Sequence, residues 1–165
     1  MRKNIIIMNI NFIAMGKLKD SYYREACSEY QKRLTPFAKV TVKEPSPEDL
    51  PNDPSALQIE RALEREAALI HEQAKSGFKI ALCVEGKQLS SEQLAHKLGE
   101  LGTNGISTVN FIVGSSFGLA ESLKRECDLR LSMSPMTFPH SLARVMLFEQ
   151  VYRAFAILNN SKYHK

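Results

Sequence analysis

Two short runs of almost uninterrupted apolar residues constrain the fold of this chain most strongly: KIALCV at residues 79–84 and TVNFIV at residues 108–113. A strand with one side in water alternates apolar and polar residues, whereas a continuous apolar run is typical of a strand covered on both faces. Such strands belong to parallel sheets with helices on both sides. The two runs therefore predict an α/β sheet that contains both of them as buried strands.

Helical and strand-like periods alternate along the rest of the sequence. Further strands are predicted at residues 9–15, 38–44 and 128–132. Helices are predicted at residues 20–34, 53–76, 90–101 and 141–159, with a short helix that ends at residue 127. This order favours a mostly parallel sheet with helices on both faces. A length of 165 residues suits one such domain, so residues 1–165 are predicted to form a single unit.

The last predicted helix is apolar on nearly every side. Only Arg144, Glu149, Gln150 and Arg153 interrupt its apolar surface. A terminal helix has one sheet face to cover, so apolar residues on its other sides need a second protein surface. We therefore predict a homodimer through this helix, with packing between two elements of its own chain as the alternative.

Charge is distributed unevenly along the chain. The 22 Lys and Arg residues against 18 Asp and Glu residues give a net charge of +4, with basic ends and an acidic segment at residues 44–73. This pattern permits a polyanionic partner on one face. Within the acidic segment, one group of charged residues is interpreted as a solvated helix face with i,i+4 pairs: Glu60, Arg61, Glu64, Arg65 and Glu66.

The cysteines and the hydropathy argue against several classes of protein. The three cysteines form no CxxC pair and no metal-ligand spacing with the four histidines, which predicts a reducing, cytoplasmic location and no metal site. No apolar run approaches the roughly 18 residues of a membrane span, so no membrane partner is expected. The apolar N-terminal segment is interpreted as the first strand rather than as a signal peptide.

Ligands of open α/β sheets bind at the carboxyl ends of the strands, which directs attention to the loops at residues 85–90, 114–118 and 133–140. Gly114 directly follows a buried strand, where a missing side chain lets a ligand approach the backbone. The segment GSSFG matches neither the dinucleotide-binding nor the P-loop pattern, and a plain strand-to-helix turn is an equal alternative.

The loop at residues 133–139 is the most informative segment. Pro135 and Pro139 keep its backbone extended, so that backbone N–H and C=O groups are available to a heterocycle. Met133, Met136 and Phe138 offer an apolar, polarizable wall for a flat ring. The alternative is that these three side chains fill the core beneath a connection.

Titratable side chains gather at the end of the chain. Two pairs have i,i+4 spacing on the last helix: His140 with Arg144, and Glu149 with Arg153. A helix cap is the alternative interpretation for His140, and a salt bridge for the second pair. The terminus carries Tyr163 and His164 beside lysines, a combination that suggests a functional tail.

Four segments together carry a resemblance to a known family: LCVEGKQLSSEQLA at residues 82–95, NFIVGSSFGL at 110–119, LSMSPMTFPHSLARVMLFEQVYRAF at 131–155, and the terminal YHK. In this order and spacing they closely resemble the ribosomal RNA large subunit methyltransferase H family, small bacterial enzymes of the SPOUT class. The match runs from Met8 onward, so residues 1–7 are interpreted as an N-terminal extension. One departure is Ser115, where the family usually has the second of two glycines.

The resemblance implies an α/β fold with a C-terminal trefoil knot, S-adenosylmethionine as methyl donor and a homodimer. It implies methylation of N3 of a pseudouridine in helix 69 of 23S rRNA, on the assembled 70S ribosome and not on DNA. Carried over by motif position, the cofactor-binding residues are Leu82, Gly114, Met133, Ser134, Pro135, Met136, Thr137 and Phe138.

The implied catalytic roles fall on the last helix and the tail. His140 and His164 are candidates for removing the N3 proton or orienting the base, and Tyr163 belongs to the same tail. Arg144 and Arg153 are candidates for holding RNA or the cofactor carboxylate, with Glu149 as an orienting group. Two other interpretations stay open: a non-catalytic RNA-binding module, and a flavodoxin-like or nucleotide-binding domain.

Overall fold

A computed structural model describes residues 7–164 of the chain, so the proposed extension at residues 1–7 lies almost entirely outside the described part. The strands are β1 (Met8–Ala14), β2 (Ala38–Lys43), β3 (Phe78–Gln88), β4 (Thr108–Val113) and β5 (Leu129–Ser132). The helices are α1 (Ser21–Leu34), α2 (Ala56–Gln73), α3 (Ser91–Thr103), α4 (Glu121–Glu126) and α5 (His140–Leu158). Helices and strands alternate, as the periodicity predicted.

The strands form one five-stranded sheet in the order β2-β1-β4-β3-β5, and every neighbouring pair is parallel. The predicted α/β class with a parallel sheet is confirmed. Both apolar runs lie on interior strands, with β4 in the centre and β3 beside it. The prediction of burial holds only in part for the run at residues 79–84, because Val84 is 47% exposed. Because parallel strands share one direction, the loops after all five meet at the same edge of the sheet.

Successive side chains of the central strands enter two separate core layers. Ile10 and Phe12 pack on one face with residues of α1, α3 and α5, and the ring of Phe12 lies 3.9 Å from that of Phe148 on α5. Ile13 and Ile112 pack on the other face with α2 and α4. Helices on both faces therefore explain why the strands need no polar side.

β3 is longer than predicted because it pairs with β5 twice. Leu82 and Lys87 both align with Leu131, so residues 83–86 bulge out of the ladder between them. Gly86 passes so close to β5 that a Cβ there would lie 2.8 Å from the Arg130 carbonyl. The bulge takes residues 83–85 out of the ladder at the carboxyl edge of the sheet.

The start of α2 differs from the prediction. A helix was predicted from Asp53 onward, but it begins at Ala56 with Ser55 as its N-cap. The Ser55 hydroxyl accepts the Gln58 N–H at 3.2 Å, while the Gln58 side chain accepts the Ser55 N–H at 2.8 Å. This reciprocal capping box satisfies two helix-end donors, which a single aspartate does not.

α5 packs against α1 and α3 of its own chain. Its buried residues include Leu147, Val151 and Ala154, so the alternative that we considered for this helix accounts for much of its apolar surface. The homodimer and the trefoil knot stay predictions. No helix in the described residues is long and apolar enough to cross a membrane.

Candidate functional site

A cavity of about 290 Å³ opens at the carboxyl edge of the sheet, beyond β3, β4 and β5. The three loops that the sequence singled out all contribute to its walls. Of the eight residues expected to bind a cofactor, all except Pro135 line this cavity. Residues that are far apart in sequence, such as Leu82 and Phe138, therefore meet around one cavity.

The loop after β4 is a tight turn that glycine makes possible. A Cβ on Gly114 would lie 2.3 Å from the carbonyl oxygen of Gly118, so residue 114 lacks a side chain because the turn closes on itself. The turn is thus one reason for glycine at this position, and the expected approach of a ligand to the Gly114 backbone stays a prediction. Gly118 has a φ of +85°, which glycine adopts without strain, and its N–H donates to the Ser115 carbonyl at 2.9 Å.

The loop after β5 presents an apolar wall to the cavity. Met136 is 71% exposed and Phe117, from the β4 loop, is 47% exposed, although both line the cavity. Met133 also packs against the core, so the alternative of core filling holds in part for this residue alone. Local bonds shape the loop, because the Ser134 hydroxyl accepts the Met136 N–H at 3.0 Å.

Charged groups form a second wall, which the sequence did not predict. Lys124 contacts Glu85 from the β3 bulge, and its Nζ lies 3.1 Å from Glu121. Burial alone would lower the pKa of Lys124, but hydrogen bonds to the two carboxylates raise it. The same lysine holds the pKa of Glu85 below its usual value. The cavity thus combines a fixed ammonium and a carboxylate with an apolar surface.

His140 is the expected catalytic residue that lies at the cavity. It is the first residue of α5 and does not cap that helix; its Nδ1 lies 3.5 Å from the Ser116 hydroxyl of the β4 loop. Burial lowers the pKa of His140, and the positive charges of Arg144 and Lys19 lower it further. At neutral pH the imidazole is therefore uncharged and able to accept a proton.

Arg144 lies outside this cavity and in the wall of a different one, of about 450 Å³. The residue is 2% exposed, and its guanidinium donates to Glu44 at 2.7 Å and to the Gly16 carbonyl at 2.7 Å. These partners follow β2 and β1, so Arg144 ties together two neighbouring strand ends. Both terminal nitrogens of the guanidinium are thus paired within the fold, whereas the buried Nε has no hydrogen-bond partner among the described residues. The expected role of Arg144 in holding RNA or the cofactor carboxylate stays a prediction.

The remaining expected residues form a C-terminal cluster on α5 and the tail. The Arg153 Nε donates to Glu149 at 2.9 Å, and the Tyr163 hydroxyl donates to the same carboxylate at 3.0 Å. Burial and the bond to Glu149 raise the pKa of Tyr163 to about 12, so its hydroxyl stays protonated. His164 lies 2.7 Å from Glu92 of α3. The salt bridge considered for Glu149 and Arg153 is present, and the tail packs on it.

A second cavity, of about 490 Å³, lies next to the first. Glu149 and Gln150 lie in its wall, and Met133 lines both cavities. The structure therefore brings His140 to one cavity and Glu149 to its neighbour, with the tail beside the second. Among residues 7–164, no three His, Cys, Asp or Glu side chains lie close enough to hold a metal ion.

One part of the acidic helix face was interpreted wrongly. Glu60 and Glu64 are exposed as predicted, but Glu66 is only 4% exposed. It accepts hydrogen bonds from the Glu48 N–H and from the Ser115 hydroxyl, each at 3.0 Å. The only sequence signal was its position beside Ala62, Ala67 and Ile70 on the buried side of α2.

Comparisons with known proteins agree on one family. The model of a family described as predicted SPOUT methyltransferase matches residues 8–164. The ribosomal RNA large subunit methyltransferase H of Bifidobacterium animalis is 44% identical over 159 residues, which cover 96% of this chain and 100% of that protein. The protein of the same name from Leuconostoc mesenteroides is 44% identical over 161 residues, with the same coverage.

Solved structures share the fold at much lower identity. A protein described as a probable methyltransferase from Bordetella pertussis superposes with a TM-score of 0.56 at 14% identity, over 92% of this chain and 98% of that one. A probable methylase family protein from Haemophilus influenzae gives a TM-score of 0.54 at 13% identity, over 97% of this chain and 71% of that one. These likenesses concern the fold alone.

Proposed function

The chain belongs to the SPOUT methyltransferase family, among the ribosomal RNA large subunit methyltransferase H proteins, and from this premise we propose that it methylates ribosomal RNA with S-adenosylmethionine as donor. More specifically, we propose N3 of a pseudouridine in helix 69 of 23S rRNA, within the assembled 70S ribosome, as the acceptor. The observation that carries the proposal is the convergence of three loops on one cavity.

The residues around that cavity fit S-adenosylmethionine. The exposed Met136 and the ring of Phe117 suit a flat adenine, while Lys124 and Glu85 suit the oppositely charged carboxylate and ammonium of the amino acid part. When bound, S-adenosylmethionine supplies a methyl group activated by the adjacent sulfonium. The protein then has mainly to align donor and acceptor and to manage one proton.

His140 is suited to manage that proton. Methylation at N3 requires loss of the N3 proton, and an uncharged imidazole at the edge of the cavity accepts it directly or through a water. Its lowered pKa keeps the accepting form available at neutral pH. The Ser116 hydroxyl, 3.5 Å from Nδ1, holds the ring toward the cofactor loop.

The C-terminal cluster supplies a second histidine, His164, which has a contact at each ring nitrogen. Glu92 accepts a hydrogen bond from Nε2 of His164, and the Arg153 guanidinium lies 3.4 Å from Nδ1, so both ring nitrogens face partners. We propose that RNA binding releases this tail toward the acceptor base. Arg153 is then free to contact a phosphate, and Glu149 keeps it oriented from one turn away.

A homodimer is consistent with the apolar residues that line the second cavity. The half-buried Val145 and Met146 line the second cavity together with Leu89 and Leu94, so an apolar surface remains beside the tail. A second copy that covers this surface doubles the net charge from +4 to +8 and allows one chain's tail to complete the other's site. The assembled ribosome supplies the remaining recognition surface.

Two measurements test the proposal. Calorimetry should detect S-adenosylmethionine binding by the isolated protein, and radiolabelled methyl groups should appear in 23S rRNA at the helix 69 pseudouridine. RNA binding without S-adenosylmethionine binding would contradict the proposal and would instead identify an RNA-binding module with a methyltransferase fold.

A further inference from the structure

Glu66 is an acidic side chain enclosed inside the fold, between α2 and the loop after β4. It is 4% exposed, although most acidic residues around it on α2 face solvent. Removing a carboxylate from water is costly unless hydrogen bonds replace the lost solvation. The two bonds that Glu66 accepts therefore indicate what the residue is there to hold.

Both hydrogen bonds attach Glu66 to loops at the carboxyl edge of the sheet. One carboxylate oxygen accepts the Glu48 N–H at 3.0 Å, from the loop after β2. The other accepts the Ser115 hydroxyl at 3.0 Å, from the turn at residues 114–118. A single buried group thus connects a surface loop, a helix and a wall of the proposed cofactor cavity.

Ser115 is well placed to transmit this constraint to the cavity. It lines the cavity, its carbonyl accepts the Gly118 N–H at 2.9 Å, and it pairs with Gly118 in an isolated bridge. Ser116, the next residue, lies beside His140. A fixed Ser115 side chain therefore holds the turn in place and keeps Ser116 beside His140.

The departure from the two-glycine pattern at position 115 has a physical reason in this arrangement. Ser115 does not have a positive φ, so a side chain is accommodated without backbone strain. Its hydroxyl gives the buried carboxylate a donor that glycine lacks. The serine and Glu66 therefore function as a pair.

We propose that Glu66 is a positioning residue for S-adenosylmethionine: through its bond to Ser115 it holds the turn at residues 114–118 in the conformation that binds the donor. The inference rests on the proposed function, because it concerns the same cavity. Glu66 does not itself line the cavity, so its influence on the donor passes through the turn.

A neighbouring pair provides a matched control. Ser122 donates to both carboxylate oxygens of Glu64 at 2.9 Å, so a serine again bonds a glutamate of α2. That pair is exposed and lies outside the turn and the cavity. Glu64→Ala therefore removes the same kind of hydrogen bond from the same helix and leaves the bond between Glu66 and Ser115 intact.

The experiment compares Glu66→Ala, Glu66→Gln, Ser115→Ala and Glu64→Ala with the wild type, using calorimetry with S-adenosylmethionine and steady-state methyl transfer. Glu66→Ala removes a buried hydrogen bond. We therefore expect Kd and KM for S-adenosylmethionine to rise about tenfold in this variant, while kcat changes by less than about twofold. Glu66→Gln keeps hydrogen-bonding capacity and should stay within about threefold. Glu64→Ala should bind like the wild type.

The pairing is tested by combining the substitutions. Ser115→Ala alone should weaken binding severalfold, and adding it to Glu66→Ala should have little further effect, because the bond is already lost. A Glu66→Ala protein with lowered thermal stability and unchanged Kd would overturn the inference and leave a purely structural role. If Glu66→Ala does not fold, normal binding by folded Ser115→Ala overturns it equally. Absence of binding by the wild type would instead contradict the proposed function itself.

Discussion

Nε2 of His164 lies 2.7 Å from a carboxylate oxygen of Glu92, which joins the end of the chain to helix α3. The contact spans 72 positions in sequence and adds to the packing of the Tyr163 ring against Tyr152, with centroids 4.7 Å apart. The Glu92 pKa lies below its usual range. The larger cause is a hydrogen bond from the Glu92 backbone N–H, and the second is the hydrogen bond with His164. The tail therefore has a defined docked position against α3 and α5.

Replacing His164 by Ala should separate catalysis from cofactor binding. The side chain lies outside the cavity proposed for S-adenosylmethionine, so Kd for the donor should stay within about twofold. Methyl transfer should fall by about 100-fold or more if His164 acts in proton transfer or orients the base. Calorimetry and single-turnover transfer to ribosomes measure the two effects. Full turnover by this variant, or by a protein without residues 163–165, would refute a role for the tail.

Replacing His140 by Gln should lower kcat by about 100-fold and remove an acidic limb from the pH profile. Burial lowers the pKa of His140, so in the wild type this limb should have its midpoint below the usual value of 6.5. As the pH falls through that lowered pKa, the imidazole gains a proton and can no longer accept one. His96→Gln is the control, because His96 is exposed on α3. An unchanged acidic limb in His140→Gln would exclude His140 as the group that titrates.

Gly114→Ala should impair donor binding more than folding. Its Cβ would lie 2.3 Å from the Gly118 carbonyl oxygen, so the turn must open. We expect at least about a tenfold increase in Kd for S-adenosylmethionine, measured by calorimetry. Gly102→Ala serves as control, because a Cβ there meets only the Met8 sulfur, at 3.8 Å. Wild-type affinity in Gly114→Ala would show that the turn does not shape the donor site.

Arg144→Ala should mainly affect stability. The guanidinium is 2% exposed and bonds Glu44 and the Gly16 carbonyl, so its removal leaves both acceptors without their donor. We expect a loss of roughly 3 kcal/mol in the free energy of unfolding, from urea denaturation, with a smaller loss for Glu44→Ala because Glu44 is partly exposed. An Arg144→Ala protein with wild-type stability and weakened RNA binding would instead support the RNA-holding role that the sequence suggested.

The sequence predicted the fold class because burial on both faces leaves a local signature. KIALCV and TVNFIV have no polar face, and that property requires helices on both sides. The order of the strands depends on tertiary contacts instead. The second pairing of β3 with Leu131 depends on a bulge at residues 83–86, which no local pattern marks.

The sequence predicted the part of the site that lies in the loops after the apolar strands, but not the contacts between side chains from distant elements. The loop at residues 133–139 is continuous in sequence, so its composition reveals an apolar wall. Arg144 and Glu44 are 100 positions apart, and nothing local connects them. Glu66 resembled the exposed acids around it, and only the arrangement of α2 against the turn shows that it is enclosed.

We propose that this chain methylates 23S rRNA within the assembled ribosome. The most direct test incubates the protein and labelled S-adenosylmethionine with 70S ribosomes, with free 23S rRNA and with isolated helix 69 RNA, and maps the modified nucleotide. We predict rapid methylation of the ribosome at N3 of the helix 69 pseudouridine and poor methylation of the isolated RNA, because so small a protein relies on the ribosome for recognition. No transfer to any of the three, by a protein that binds the donor, would contradict the account.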